Sequence, residues 1–556
     1  LVAVGARALE QNTTGSCNTA LGKNSLLCNT TASYNTAAGF ASLCANTTGS
    51  CNVAVGGSAG TAVTTGAFNT AIGGLALESN TTAGNNTAIG GAALRCTTTG
   101  CENTSVGSGS MAANLTGDNN TAVGRYALNA NTSADNNTAV GFKSLCANTT
   151  GTQNSALGHE TLSSNTEGNY NTALGRLALY TNTTGGNNTA VGLSALEKNT
   201  DGGGNTAMGY KVLCTNTTGD QNVAIGSNAM QSNTTANNNT AVGFRTMDKN
   251  TEGTNNVAMG MDAMRCNTTA DFNTALGACS MYTNATGANN VAVGYGSLYS
   301  NTGSDNTAVG SGALDANTSA VNNTAVGKNA MGANTTGHRN TSVGKDSMAV
   351  STTGDCNVAV GWASLNANTT ANTNTAVGAK ALAANTTGAS NVAVGTFALD
   401  TNTTGATNTS IGYNSLTANT TGTNNVVLGA HAGKAITTST GNTVIGVNAL
   451  CTHTETGYDN TAVGFCALKG STTAYFNTAI GKSTGVNITT GSDNVLIGRS
   501  SGADAMYNIT SEANRGVFGS NVLTHTYVKV DWTVVSDERD KMNFEEVPHG
   551  LDFVNQ

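Results

Sequence analysis

The chain has 556 residues, a formal net charge of −8, 10% charged and 5% aromatic side chains, 70 glycines and a single proline. So small a charge over so great a length gives no electrostatic footprint for nucleic acid or an anionic membrane, and nothing approaches the run of about 18 apolar residues that reads as a membrane span. Disordered chains usually combine proline with high net charge, and this one has neither.

The first residues, "LVAVG", already carry a phrase that returns throughout, so further chain is expected before Leu1, and no signal-peptide pattern is visible. Its closing glycine falls at Gly5, Gly22, Gly39 and onward to Gly498 in steps of 17 residues. Two steps differ: Gly294 to Gly310 is 16 and Gly446 to Gly464 is 18, and the two errors cancel. About thirty copies of one unit fill some nine-tenths of the chain, and repetition on that scale decides the fold class before residue propensities are consulted.

The unit reads N-T-A-V-G-x-x-A-L-x-x-N-T-T-G-x-x. Gly, Asn and Thr are poor helix formers, whereas "NTAVG" alternates with period two. Thr or Val stands three before the glycine (Thr138, Val223, Val291, Val358) and Val, Ile, Leu or Met one before it. These two share a face, and the small Ala between them points the other way. Leu or Met four after the glycine (Leu128, Leu145, Leu162, Met230) adds a contact beyond the bend. So few apolar side chains cannot make a core alone, but stacked units bury one another in continuous ladders. The reading is an all-β parallel β-solenoid, or β-roll, of about thirty coils. Proline is missing from the repeats because it would delete a ladder hydrogen bond.

Asn stands four before the glycine in every complete copy, and a looser second Asn stands seven after it (Asn46, Asn148, Asn182, Asn368). Stacked amides can bond along the axis, each giving its NH to the carbonyl of its neighbour. Because the "N-T-T" stretches follow the coil period, they read as turn and ladder rather than as glycosylation acceptors. Thr-rich solenoids can also bind ice through exposed double rows, and "NTAV" gives no evident double row. Thirteen cysteines stand mostly near turns. Cys44 with Cys51 and Cys96 with Cys101 flank a turn, and Cys28 and Cys44 lie in adjacent coils. Their odd count and irregular placement favour free thiols. The histidines (His159, His338, His431, His453, His525, His549) form no ligand set, and no P-loop, dinucleotide fingerprint or Ser-His-Asp constellation appears. No cofactor or metal is expected. Nor do the repeats hold the clustered carboxylates that a glycan-cleaving enzyme would need.

After Gly429 the pattern loosens, with Gly433, Gly485 and Gly502 where Leu is usual. The division expected is a repeat shaft over 1–509, a neck over 510–535 containing an alternating strand from Thr526 to Val535, and a charged segment over 536–556. That last segment, "SDERDKMNFEEVPHGLDFVNQ", resembles the start of the self-cleaving intramolecular chaperone of phage tail spikes and tail fibres, the endosialidase type. The match rests on Ser536, Asp537, Arg539, Lys541, Asn543 and the run Gly550 to Gln556. The resemblance implies a trimerising chaperone that releases itself by cleavage between Val535 and Ser536, with Ser536 as nucleophile and Lys541 as its base. The segment holds only the start of such a domain.

The phrases "NTAVG" and "NVAVG" also resemble the head repeats of trimeric autotransporter adhesins, which are left-handed parallel β-rolls. Together these resemblances imply a homotrimeric fibre on a virion, either a tail fibre or an appendage. It would attach to a host-surface receptor, glycan or protein, and would have no enzyme activity beyond a single self-cleavage. A bacterial cell-surface adhesin is the alternative.

Overall fold

The computed structural model describes residues 1–454, 457–505 and 507–525. Each "NTAVG" phrase forms a three-residue strand, and 31 such strands follow one another among the described residues, from β1 (Val2–Val4) to β31 (Gly516–Phe518), with no helix. Each strand pairs in parallel with the next and with residue-for-residue register. Thus β9 (Thr138–Val140) meets β10 (Ser155–Leu157) through Thr138–Ser155, Ala139–Ala156 and Val140–Leu157. The result is one continuous parallel sheet wound as a β-solenoid of about thirty turns, which at about 4.8 Å per coil makes a rod ~140 Å long. The short and long repeats keep the register, since Val291 pairs with Thr307 and Thr443 with Thr461.

The coil from Asn137 to Gln153 shows how 17 residues close. Gly141 has φ 135°, and Lys143, Leu145 and Gln153 have φ 51°, 49° and 57°. A Cβ on Gly141 would strike the carbonyl of Gly158 in the next coil, so only glycine fits at this close approach. Left-handed backbone at a leucine costs roughly 1–2 kcal/mol, yet the pattern recurs in coil after coil because neighbours on both sides hold it. The Leu145 N–H donates to Thr161 and its carbonyl accepts from Asn148, at 3.0 and 3.2 Å.

Six residues of this coil point inward: Asn137, Ala139, Ser144, Leu145, Asn148 and Gly151. The interior is therefore half polar, and its amides are satisfied within the stack. Asn137 Oδ1 accepts the backbone N–H of Asn154 at 3.0 Å, while its Nδ2 donates to the Gly151 carbonyl across the coil at 2.9 Å. Asn148 donates to the same carbonyl at 2.9 Å and to Asn131 Oδ1 at 3.1 Å, and accepts from Asn165 at 2.8 Å. The amide-to-amide ladder anticipated for the asparagines is present at both positions, at the stricter one as from Asn154 Nδ2 to Asn137 Oδ1 at 3.2 Å. The stricter asparagine also captures a backbone donor.

Two further findings refine the apolar pattern. The Val, Ile, Leu or Met before the glycine is not in the core, because the narrow interior takes the residue on the other side of the strand, which is nearly always alanine, with Val427, Val444 and Leu496 as larger buried exceptions. And at three of the four positions where glycine replaces the core leucine, the missing volume returns three residues later. Gly60, Gly433 and Gly485 are followed by buried Val63, Ile436 and Ile488 in place of the second asparagine. A Cβ built on those glycines would stand 3.4, 3.0 and 3.2 Å from the compensating side chain. The last step among the described residues is 21 residues long, and in it the Arg515 N–H donates to Asn494 Oδ1 at 2.9 Å. The expected strand Thr526 to Val535 and the charged segment from Ser536 lie outside the described residues.

Candidate interaction surface

Ala139, Ala156 and Ala173 are turned fully inward, so strand alternation puts the residues on either side of them on the outer face. Along the axis this stacks a row of Thr and Val beside a row of Val, Ile, Leu and Met. Side chains of the second row stay substantially exposed, as at Leu21 (52%), Leu157 (49%) and Met259 (46%). The face runs unbroken along the strand ladder.

Aromatic side chains border this face on both sides. Those that follow the glycine include Phe40, Tyr210, Phe244, Trp362 and Tyr413, and Trp362 is 51% exposed. Those that precede the asparagine include Tyr34 and Phe68, each 64% exposed, with Tyr170 and Phe272. At these latter positions φ lies between 58° and 63°, a turn conformation that throws the ring outward. Cations cover several rings: Arg245 lies 4.6 Å from the Phe244 centroid, and the Lys380 ammonium sits 5.2 Å from Trp362 and 6.0 Å from Phe397. The "NTTG" edge is different in kind. Its first threonine turns its hydroxyl into the stack, as Thr149 does toward the Thr166 carbonyl at 3.0 Å.

Other polar clusters are structural. Arg245 pairs with Asp262 at 2.9 Å and Arg265 with Asp248 at 3.8 Å, tying consecutive coils together, while Arg265 also reaches Asp262 of its own coil at 3.8 Å. The thirteen cysteines are free thiols, and burial pushes those of Cys146 and Cys214 up. Among the described residues no group of three or more His, Cys, Asp or Glu converges as metal ligands do, and no helix is long and apolar enough to cross a membrane. Val535, Ser536 and Lys541, the residues of the anticipated cleavage site, lie outside the described residues.

No family model and no curated protein matches the chain.

The aliphatic face was not legible as a surface from periodicity alone, because alanine and valine are both apolar and either could have been the inner side. The usable signal was size: one side of the strand is nearly always Ala, while the other ranges from Ala38 to Met208 and Leu174. A tightly packed interior does not tolerate such variation in volume.

Proposed function

We propose that the chain is the shaft of a homotrimeric attachment fibre, a virion tail fibre or appendage that holds a receptor-binding tip away from its base. The observation that carries this reading is the unbroken aliphatic face along the strand ladder. Monomeric proteins rarely expose contiguous apolar patches beyond a few hundred Å², and parallel copies of one rod bring like rows together along their whole length. Three copies, left-handed winding and display toward a host glycan or protein follow from the resemblances carried by "NTAVG" and by the segment from Ser536. In this reading the fibre matures by one cleavage, between Val535 and Ser536, with Lys541 activating Ser536. The likeness of "NVAVG" to adhesin heads favours a second reading, a bacterial surface adhesin. The C-terminus of the complete gene separates the two: a complete chaperone there supports the fibre, and a membrane-anchor barrel the adhesin.

Sedimentation equilibrium tests the assembly. The expected particle has three times the mass of the chain. Ile225→Lys with Met259→Lys, both on the outer row, should reduce it to monomer with unchanged β-type circular dichroism. A wild-type chain that sediments as a monomer overturns the reading, and so does a trimer indifferent to both lysines.

A further inference from the structure

The backbone N–H of Cys28 donates to the carbonyl of Cys44 at 3.0 Å, and no other two cysteines among the described residues are joined in this way. The two belong to consecutive coils, at the bend just after the core leucines Leu26 and Leu43. Coils stack about 4.8 Å apart; Cys28 and Cys44 are 16 residues apart, one short of equivalent positions, and one residue's rise of about 3.3 Å along the chain puts their Cα atoms about 6 Å apart, inside the about 4.4–6.8 Å that a disulfide spans. Both side chains are half-buried, and both lie within electrostatic reach of the Arg7 guanidinium. Burial raises the Cys44 thiol, Cys28 raises it further, and Arg7 opposes them.

We propose that Cys28 and Cys44 are a redox-controlled staple, closing to a disulfide that covalently joins the second coil to the third. With oxidised glutathione as the oxidant, the Cys28 thiolate attacks one of its sulfurs and expels one reduced glutathione. Cys44 then loses its proton and attacks the Cys28 sulfur of the mixed disulfide, expelling the second. Two thiols become one disulfide, and the two electrons end on two molecules of glutathione. Exchange needs only the access the two half-buried thiols already have.

The whole chain, folded and equilibrated with oxidised glutathione, is digested without reduction and analysed by mass spectrometry. The expected product is a linked peptide pair containing Cys28 and Cys44. Cys44→Ser should abolish the linked pair and leave Cys28 as a thiol or a glutathione adduct. The proposal is overturned if both cysteines of the folded wild type are recovered as thiols or as separate adducts. It is equally overturned if the Cys28–Cys44 link is no more abundant than in protein oxidised in denaturant, where cysteines pair at random.

Discussion

The backbone N–H of Asn460 meets Asn442 Oδ1 at 3.1 Å across 18 residues, although the other coils span 17 almost throughout. The 16-residue coil makes the same bond, Asn306 to Asn290, at 2.9 Å. Asparagine therefore keeps phase for the ladder. A residue gained or lost in the turn does not move the strand, because the amide of each coil fixes where the next begins. In the short coil the loss falls in Asn301-Thr302-Gly303, where one threonine of the usual phrase is missing.

Asn222 should accordingly matter far more than its exposed neighbour Asp220. Asn222 Oδ1 accepts the Asn239 N–H at 3.0 Å and its Nδ2 donates to the Ala236 carbonyl at 2.8 Å, all buried. Asn222→Ala leaves the Asn239 N–H unpaired, at about 1–3 kcal/mol, and leaves the Ala236 carbonyl with only the longer bond from Asn233 at 3.3 Å. Asp220 accepts the Gly203 N–H at 2.7 Å in the open, where water can replace it, so Asp220→Ala should cost less than about 1 kcal/mol. Equilibrium denaturation of the two variants measures the difference, and equal small effects would place the ladder in solvent.

Glycines should divide sharply by position. At Gly107 φ is 134° and a Cβ would stand 2.5 Å from the Gly124 carbonyl oxygen. Gly107→Ala should therefore cost about 3 kcal/mol or more. Gly57 has nothing within 4 Å of the same probe position, and Gly57→Ala should stay within about 0.5 kcal/mol of wild type. Thermal melts of both variants provide the comparison.

His453 replaces an asparagine in the second ladder and is fully buried. Its ring nitrogens face the Gly457 carbonyl at 2.9 Å and the Ser471 hydroxyl at 3.2 Å. Burial lowers its pKa below the ordinary 6.5, with the Gly457 bond working the other way. The unfolded chain thus takes up a proton first as pH falls. The stability that His453 contributes is present above about pH 6.5 and is lost between there and the depressed folded value. Hydrogen exchange around β27 (Thr443–Ile445) and β28 (Thr461–Val463) should accelerate from pH 7 to pH 5. In His453→Asn, which restores the ladder amide, it should not, once intrinsic exchange rates are corrected for.

Cleavage before Ser536 should depend on assembly, since a lysine base must lose its proton, and desolvation in a packed trimer favours the neutral amine. In a chain carrying the whole downstream domain, wild type should give two fragments on a denaturing gel, the released one beginning at Ser536 by mass. Ser536→Ala and Lys541→Ala should each remain uncleaved and trimeric. Unchanged cleavage in Ser536→Ala removes the proposed nucleophile.

Much of the architecture was legible in the sequence, because a 17-residue period, invariant Asn and Gly, and alternation in "NTAVG" each have one physical cause and all agree. What escaped was sidedness and compensation. Alternation groups Thr138 with Val140 but does not say that Ala139 faces in, since that depends on the coil's width. Gly433 and Gly485 read as decay of the pattern until Ile436 and Ile488 are found filling the same space, a relation visible only when the bend is known. The aromatic borders depend on left-handed turns at residues such as Phe68 and Phe272, and composition carries no mark of these.

Because every coil closes on a near-copy of itself, length is a free parameter of the gene. Recombination between repeats, adding or removing whole 17-residue blocks, would leave each remaining coil with the same kind of neighbour above and below. Reach could then change in steps of about 4.8 Å, with no new contact to be invented and no fold to be rediscovered. The two odd-length repeats mark the tolerance of that process: a slip inside the turn survives, while one that displaced Asn or Gly would break the rod in two.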